Sequence, residues 1–199
     1  MDLDRRQVVK RLALGGLGAA TAPLWSQRLT ELAWAHVDPH THTHAAPAAK
    51  AAAWTPKVLD AHQNETVVAI SELIIPQTDT PGAKAANVNR FIDQILAAAQ
   101  PAEREQFLRG LQWMDARAQE RHGTAFVTAT PAQQAAILTA ISTPDAGAEA
   151  TGREFFAAIK GLTVTGYYTS EIGIRQELGD DGALFFAEFP GCTHPQHRG

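Results

Sequence analysis

From Trp54 onward, large apolar residues recur three and four positions apart, and most of these runs are bounded by a proline or a helix-capping residue. Residues spaced this way fall on one face of a helix, so the pattern commits the chain to packed helices. Val67, Ile70 and Ile74, with Leu73 beside them, follow Asp60-Ala61-His62-Gln63, an Asp/Gln form of the capping box, and Pro76 stops the run. Thr55-Pro56 reads as an earlier cap with a first-turn proline. Val88, Phe91, Ile92, Ile95 and Leu96 make a second stripe, with Asn87 placed to cap it. Pro101 opens a third helix with Phe107, Leu108, Leu111, Met114 and Ala118 on its buried face, closed by His122-Gly123. Thr130-Pro131-Ala132-Gln133 repeats the cap, proline and glutamine ahead of Ala136, Ile137, Ala140 and Ile141. Phe155, Phe156, Ile159 and Leu162 mark a fifth helix. A short sixth is expected near Ile172 to Leu178, capped by Thr169 or Ser170 and ended by Gly179. No alternating run is long enough for a sheet. The expectation is an all-α fold: a small irregular helical bundle of about five to six helices. A C-terminal tail should dock on it through Phe185, Phe186 and Phe189.

The N-terminus obeys another pattern. Arg5, Arg6, Lys10 and Arg11 precede a Gly/Ala-rich, weakly apolar stretch from Leu12 to Trp25, and Ala33-Trp34-Ala35 is a small-x-small triplet of the kind signal peptidase cuts after. Asp4-Arg5-Arg6-Gln7-Val8-Val9-Lys10 resembles a twin-arginine export signal, with Arg5, Arg6 and Lys10 as its address residues and Ala33 and Ala35 flanking the expected cut. The expected organisation is thus a signal at 1–35, a His/Ala/Pro-rich linker at 36–53 and a helical domain at 54–199. The whole chain has a formal charge of −4, and the part after residue 35 carries 12 basic and 18 acidic residues. Such acidity argues against nucleic acid as a partner.

The chemistry-bearing residues are sparse. There is no GxSxG elbow, HExxH pair or phosphate-binding loop, so no catalytic residue is assigned. Gly16-Leu17-Gly18 begins like a dinucleotide fingerprint, but Thr21 occupies the final glycine position. One cysteine excludes an internal disulfide and a CxxCH haem site. Glu103, Glu105 and Glu120 share a helix with Arg104, Arg109, Arg117 and Arg121, which reads as a solvated, ion-paired face. His40, His42 and His44 alternate with threonines and would line one side of an extended segment, yet no carboxylate scaffold surrounds them. The tract reads as a spacer, with weak metal binding as its rival. Cys192, His194 and His197 read as tail composition, and no metal site is assigned. The stretch Lys160 to Gly173 is the densest special feature. Gly161, Gly166 and Gly173 there suit tight turns, and Tyr167 and Tyr168 suit a half-buried contact surface. In the loop Gln77 to Ala83, Asp79 is expected to bond backbone two residues on, and Pro81-Gly82 to form the centre of a type II turn.

Leu73-Ile74-Ile75-Pro76-Gln77-Thr78-Asp79-Thr80-Pro81-Gly82-Ala83 and Gly166-Tyr167-Tyr168-Thr169-Ser170-Glu171-Ile172-Gly173 together resemble the gluconate 2-dehydrogenase subunit 3 family. Phe107-Leu108-Arg109-Gly110-Leu111 through Trp113-Met114-Asp115 adds to the likeness, which spans roughly Ala61 to Gly179. The resemblance implies a non-catalytic small subunit without a cofactor of its own. Its partner would be an FAD-dependent dehydrogenase large subunit of the glucose-methanol-choline type that oxidises a sugar or polyol. A cytochrome c subunit commonly receives the electrons in such complexes. The small subunit would assist maturation of the folded flavoprotein and carry it through the twin-arginine translocase to the periplasm. The motif residues Asp79, Thr80, Pro81, Tyr167, Tyr168 and Glu171 are then the expected partner-binding set. Two rivals stand beside this reading. One is a subunit that completes the dehydrogenase active site through Tyr168 or Glu171; the other is a periplasmic metal-binding protein using the His tract. A single cysteine suits a chain that folds in the reducing cytoplasm before export.

Overall fold

The computed structural model describes residues 24–37, 54–142 and 150–180. Over these the chain forms α1 (Leu24–His36), α2 (Ala61–Ile74), α3 (Val88–Ala98), α4 (Pro101–His122), α5 (Pro131–Ser142) and α6 (Ala150–Tyr168). A 3-10 turn at Phe126–Thr128 and a π-helical turn at Ile172–Glu177 complete the set. Among the described residues there is no strand, so the all-α expectation holds. No helix among them is long and apolar enough to cross a membrane.

Helix α6 is the hub, in contact with each of the other five helices. Its inner residues Phe155, Ala158, Ile159, Leu162 and Tyr167 are fully buried. Phe155 meets Phe107 of α4 edge to face, with ring centroids 5.2 Å apart. The stripes read from the sequence supply the rest of the core: Val67 and Ile70 from α2, Val88, Ile92, Ile95 and Leu96 from α3, and Phe107, Leu111, Met114 and Ala118 from α4. A buried polar contact between Ser71 and Thr163 hydroxyls, at 3.2 Å, ties α2 to α6.

Several helix ends follow their local sequence. Asp60 accepts from the Gln63 amide at 2.7 Å while Gln63 accepts from the Asp60 amide at 3.0 Å, completing the capping box of α2. Thr130 and Gln133 make the corresponding pair at α5. Gly123, with φ of 69°, ends α4 in the left-handed conformation.

Other ends differ from expectation. Thr55-Pro56 starts no helix. The backbone amides of Lys57, Val58 and Leu59 instead donate to the buried Asp93 carboxylate at 2.7, 3.0 and 3.0 Å, and this holds the segment in a non-helical arch. Asn87 does not cap α3 with its side chain. It sits at φ 54°, and its amide turns back to the Ala85 carbonyl at 3.3 Å. On α5 the buried face is Gln134, Ile137, Leu138 and Ile141, and Ala136 faces solvent, because Gln134 reaches in to the Phe126 carbonyl at 2.8 Å. Gly161 and Gly166 make no turn: α6 runs unbroken to Tyr168, and these glycines lie within it.

The N-terminal part of the described residues adds a helix that the apolar spacing does not mark. Residues 24–36, which the sequence reading divides between the end of the signal and the first linker residue, form α1, and α1 packs along α6 more extensively than any other helix pair. The expected division at residue 35 falls inside this helix, and Ala33 has no exposed surface. The double-arginine segment, the His40/His42/His44 tract and the tail with Phe185, Phe186, Phe189 and Cys192 lie outside the described residues.

Candidate partner-facing site

The two motif strings, about ninety residues apart in sequence, meet at one end of the bundle. The first is a loop. α2 ends at Ile74 because Pro76 has no amide to continue the helix. The chain then folds back, and the Ala83 amide donates to the Ile75 carbonyl at 2.9 Å. Glu72, in the last turn of α2, clamps the loop from inside. Its Oε1 accepts from the Gln77 amide at 2.9 Å and its Oε2 from the Lys84 amide at 2.8 Å. Gly82 does not occupy a type II turn, since its φ is not positive. It is glycine because a Cβ there would run into the Glu72 carboxylate and lie 2.6 Å from the Gln77 nitrogen. The Asp79 carboxylate accepts from the hydroxyl of its neighbour Thr78 at 2.8 Å; the expected bond to backbone two residues on does not arise, because that residue is Pro81 and has no amide. The Thr78 amide donates to the Thr80 carbonyl at 3.0 Å.

The second string is the C-terminal end of α6 and the π turn. The Tyr167 ring is fully buried, and its hydroxyl donates to the Pro81 carbonyl at 2.7 Å. Tyr168 stands edge to face with it, 5.2 Å between centroids, and is half-buried. Ser170 closes the helix end: its hydroxyl donates to the Tyr167 carbonyl at 2.6 Å and accepts from the Gly173 amide at 3.0 Å. Thr80 donates to the Glu177 carboxylate at 2.6 Å, a second bridge, from the loop to the end of the π turn that follows the second string. Glu171 projects outward with 81% of its side chain exposed and lies 3.7 Å from Arg175.

Of the expected contact residues, Asp79 and Glu171 are therefore on the surface, Thr80, Pro81 and Tyr168 are partly so, and Tyr167 is an internal strut. The clamp residues Glu72 and Glu177 escaped sequence reading. Glu72 carried one usable signal, a carboxylate in the last helical turn just ahead of a loop rich in free amides. The exposed rim is Gln77, Thr78, Asp79, Glu171, Arg175 and Leu178, which is polar apart from the leucine. Among the described residues no group of three or more His, Cys, Asp or Glu could hold a metal ion. No strand is present among them to form a βαβ nucleotide cradle.

A family model described as gluconate 2-dehydrogenase subunit 3 matches residues 61–188, which includes both strings and the packed helices α2 to α6. The chain belongs to the gluconate 2-dehydrogenase subunit 3 family. Neither a search of curated proteins nor one of solved structures finds a match. Membership makes the chain a dehydrogenase-complex subunit, a type of protein that works beside partner subunits.

Proposed function

We propose that this subunit binds a folded FAD-dependent sugar or polyol dehydrogenase, assists its maturation and carries it through the twin-arginine pathway to the periplasm. The observation that carries the reading is the joining of the two motif strings by Tyr167–Pro81, with Thr80–Glu177 tying the same loop to the π turn that follows the second string. These bonds hold a surface loop against a helix end, and their strength lies in a fixed shape, as a docking surface requires. The chemistry belongs to the partner. FAD would be held by the large subunit, where it must be inserted before export, and a cytochrome c subunit would take the electrons onward. The small subunit contributes the address at Arg5, Arg6 and Lys10.

Replacing Arg5 and Arg6 together by lysine is expected to strand the partner's dehydrogenase activity in the cytoplasm. Full activity in the periplasm would reject the carrier role. Glu171→Arg is expected to reduce co-purification of the large subunit severalfold. Unchanged assembly with lost turnover would instead favour completion of the active site by this chain.

A further inference from the structure

We infer that residues 24–36 are a permanent helix of the folded subunit, so the chain is not processed after Ala35 and the export address ends before Leu24. Ser26, Leu29 and Ala33 lie three and four residues apart on the inner face of α1, and Leu29 and Ala33 have no exposed surface. The body is shaped to receive them. At Gly161 of α6, a Cβ would stand 2.7 Å from the Thr30 hydroxyl oxygen, so glycine there is what lets the two helices approach. Trp25 donates from Nε1 to Glu154 of α6 at 3.3 Å. Arg28 lies 3.7 Å from Glu103, at the start of α4. The contacts advance in the same sense along both helices, Trp25 at Glu154 and Thr30 at Gly161, so α1 runs alongside α6 over at least about a turn and a half. A discarded leader would leave this face of α6 bare.

The geometry of the triplet agrees. A peptidase reads its substrate as extended chain, and a folded segment is cut only from its opened form. Ala33 and Ala35 are in the last turn of α1, where the His36 ring bonds the Leu32 carbonyl at 2.9 Å and the Val37 amide donates to the Trp34 carbonyl at 3.2 Å. Extending that turn would pull Ala33 out of the core. Small residues also occur upstream, at Gly18, Ala19, Ala20 and Ala22, so a small-x-small site before Leu24 is available in the sequence.

Two measurements decide the matter. Chains lacking residues 2–22 or 2–35 are purified beside the full chain and melted. The shorter deletion should melt with the full chain, and the longer should melt about 10 °C lower or fail to fold. Equal melting of the two deletions would overturn the inference. Leu29→Ala in the full chain guards against a trivial failure. It should lower the melting temperature by about 5 °C or more, and no change would likewise overturn the inference. Intact mass of the chain recovered from the periplasm should give an N-terminus at or before Leu24, whereas a chain starting at His36 would refute it. If no chain reaches the periplasm, the carrier reading fails, while the melting series still decides this one.

Discussion

Single residues hold this molecule where its sequence is locally undecided. Asp93 is the clearest case, a buried carboxylate that accepts three successive backbone amides from a segment some thirty-five residues earlier. An asparagine there would offer one acceptor oxygen and turn an N–H toward an N–H. Asp93→Asn is expected to cost about 2–4 kcal/mol of stability, read from urea unfolding with an unchanged m value. The same residue explains why Thr55-Pro56 misleads. The cap signal is local, and the competitor for those amides comes from another helix. His62 makes the pH-sensitive contact. Its hydrogen bond to Asp115, at 2.6 Å, raises its pKa, assisted by that carboxylate's charge and opposed by partial burial. A raised folded value means the contribution is complete below the unfolded value of about 6.5 and fades as pH climbs through the folded one. Because the His62 side chain is 47% exposed, solvent screening keeps the effect under about 1 kcal/mol. His62→Ala should therefore melt below the unsubstituted chain near pH 5.5, and the gap should narrow in mildly alkaline buffer.

At the scale of elements, apolar spacing located α2 to α6 and capping pairs fixed the starts of α2 and α5, since both signals are written within a few neighbouring residues. The first helix was not legible. Its buried positions are Ser26, Leu29 and Ala33, with Trp25 and Leu32 only partly covered, too small a hydrophobic signal to stand out from a Gly/Ala-rich leader. What makes it a core helix is the glycine across from it on α6, which local sequence cannot announce. The two tyrosines were legible as special but not in their roles, because the burial of Tyr167 depends on a loop almost ninety residues away. The central position of α6 sets a scale for its loss. Phe155 fills the contact with α4 and has no exposed surface, so Phe155→Ala should destabilise by about 3–5 kcal/mol, measured by chemical denaturation. Leu108, on the outer edge of α4 and only partly buried, should lose distinctly less on the same change.

At the largest scale, a hub helix in contact with every other helix among the described residues leaves no group of these helices with a core of its own. Unfolding is expected to be a single cooperative step. Helical content by circular dichroism and tryptophan fluorescence should therefore give coincident transitions, and two separated midpoints would contradict this. Trp25 and Trp113 pack on the core from α1 and α4, so the fluorescence reports on how these two helices pack. The Tyr167 strut belongs to this scale as well. One side chain is at once part of the central packing and the latch of the surface loop, so the loop is ordered when the chain folds. The entropy of fixing it is settled before any encounter, and a partner would meet a rigid relief instead of a segment it must first tame.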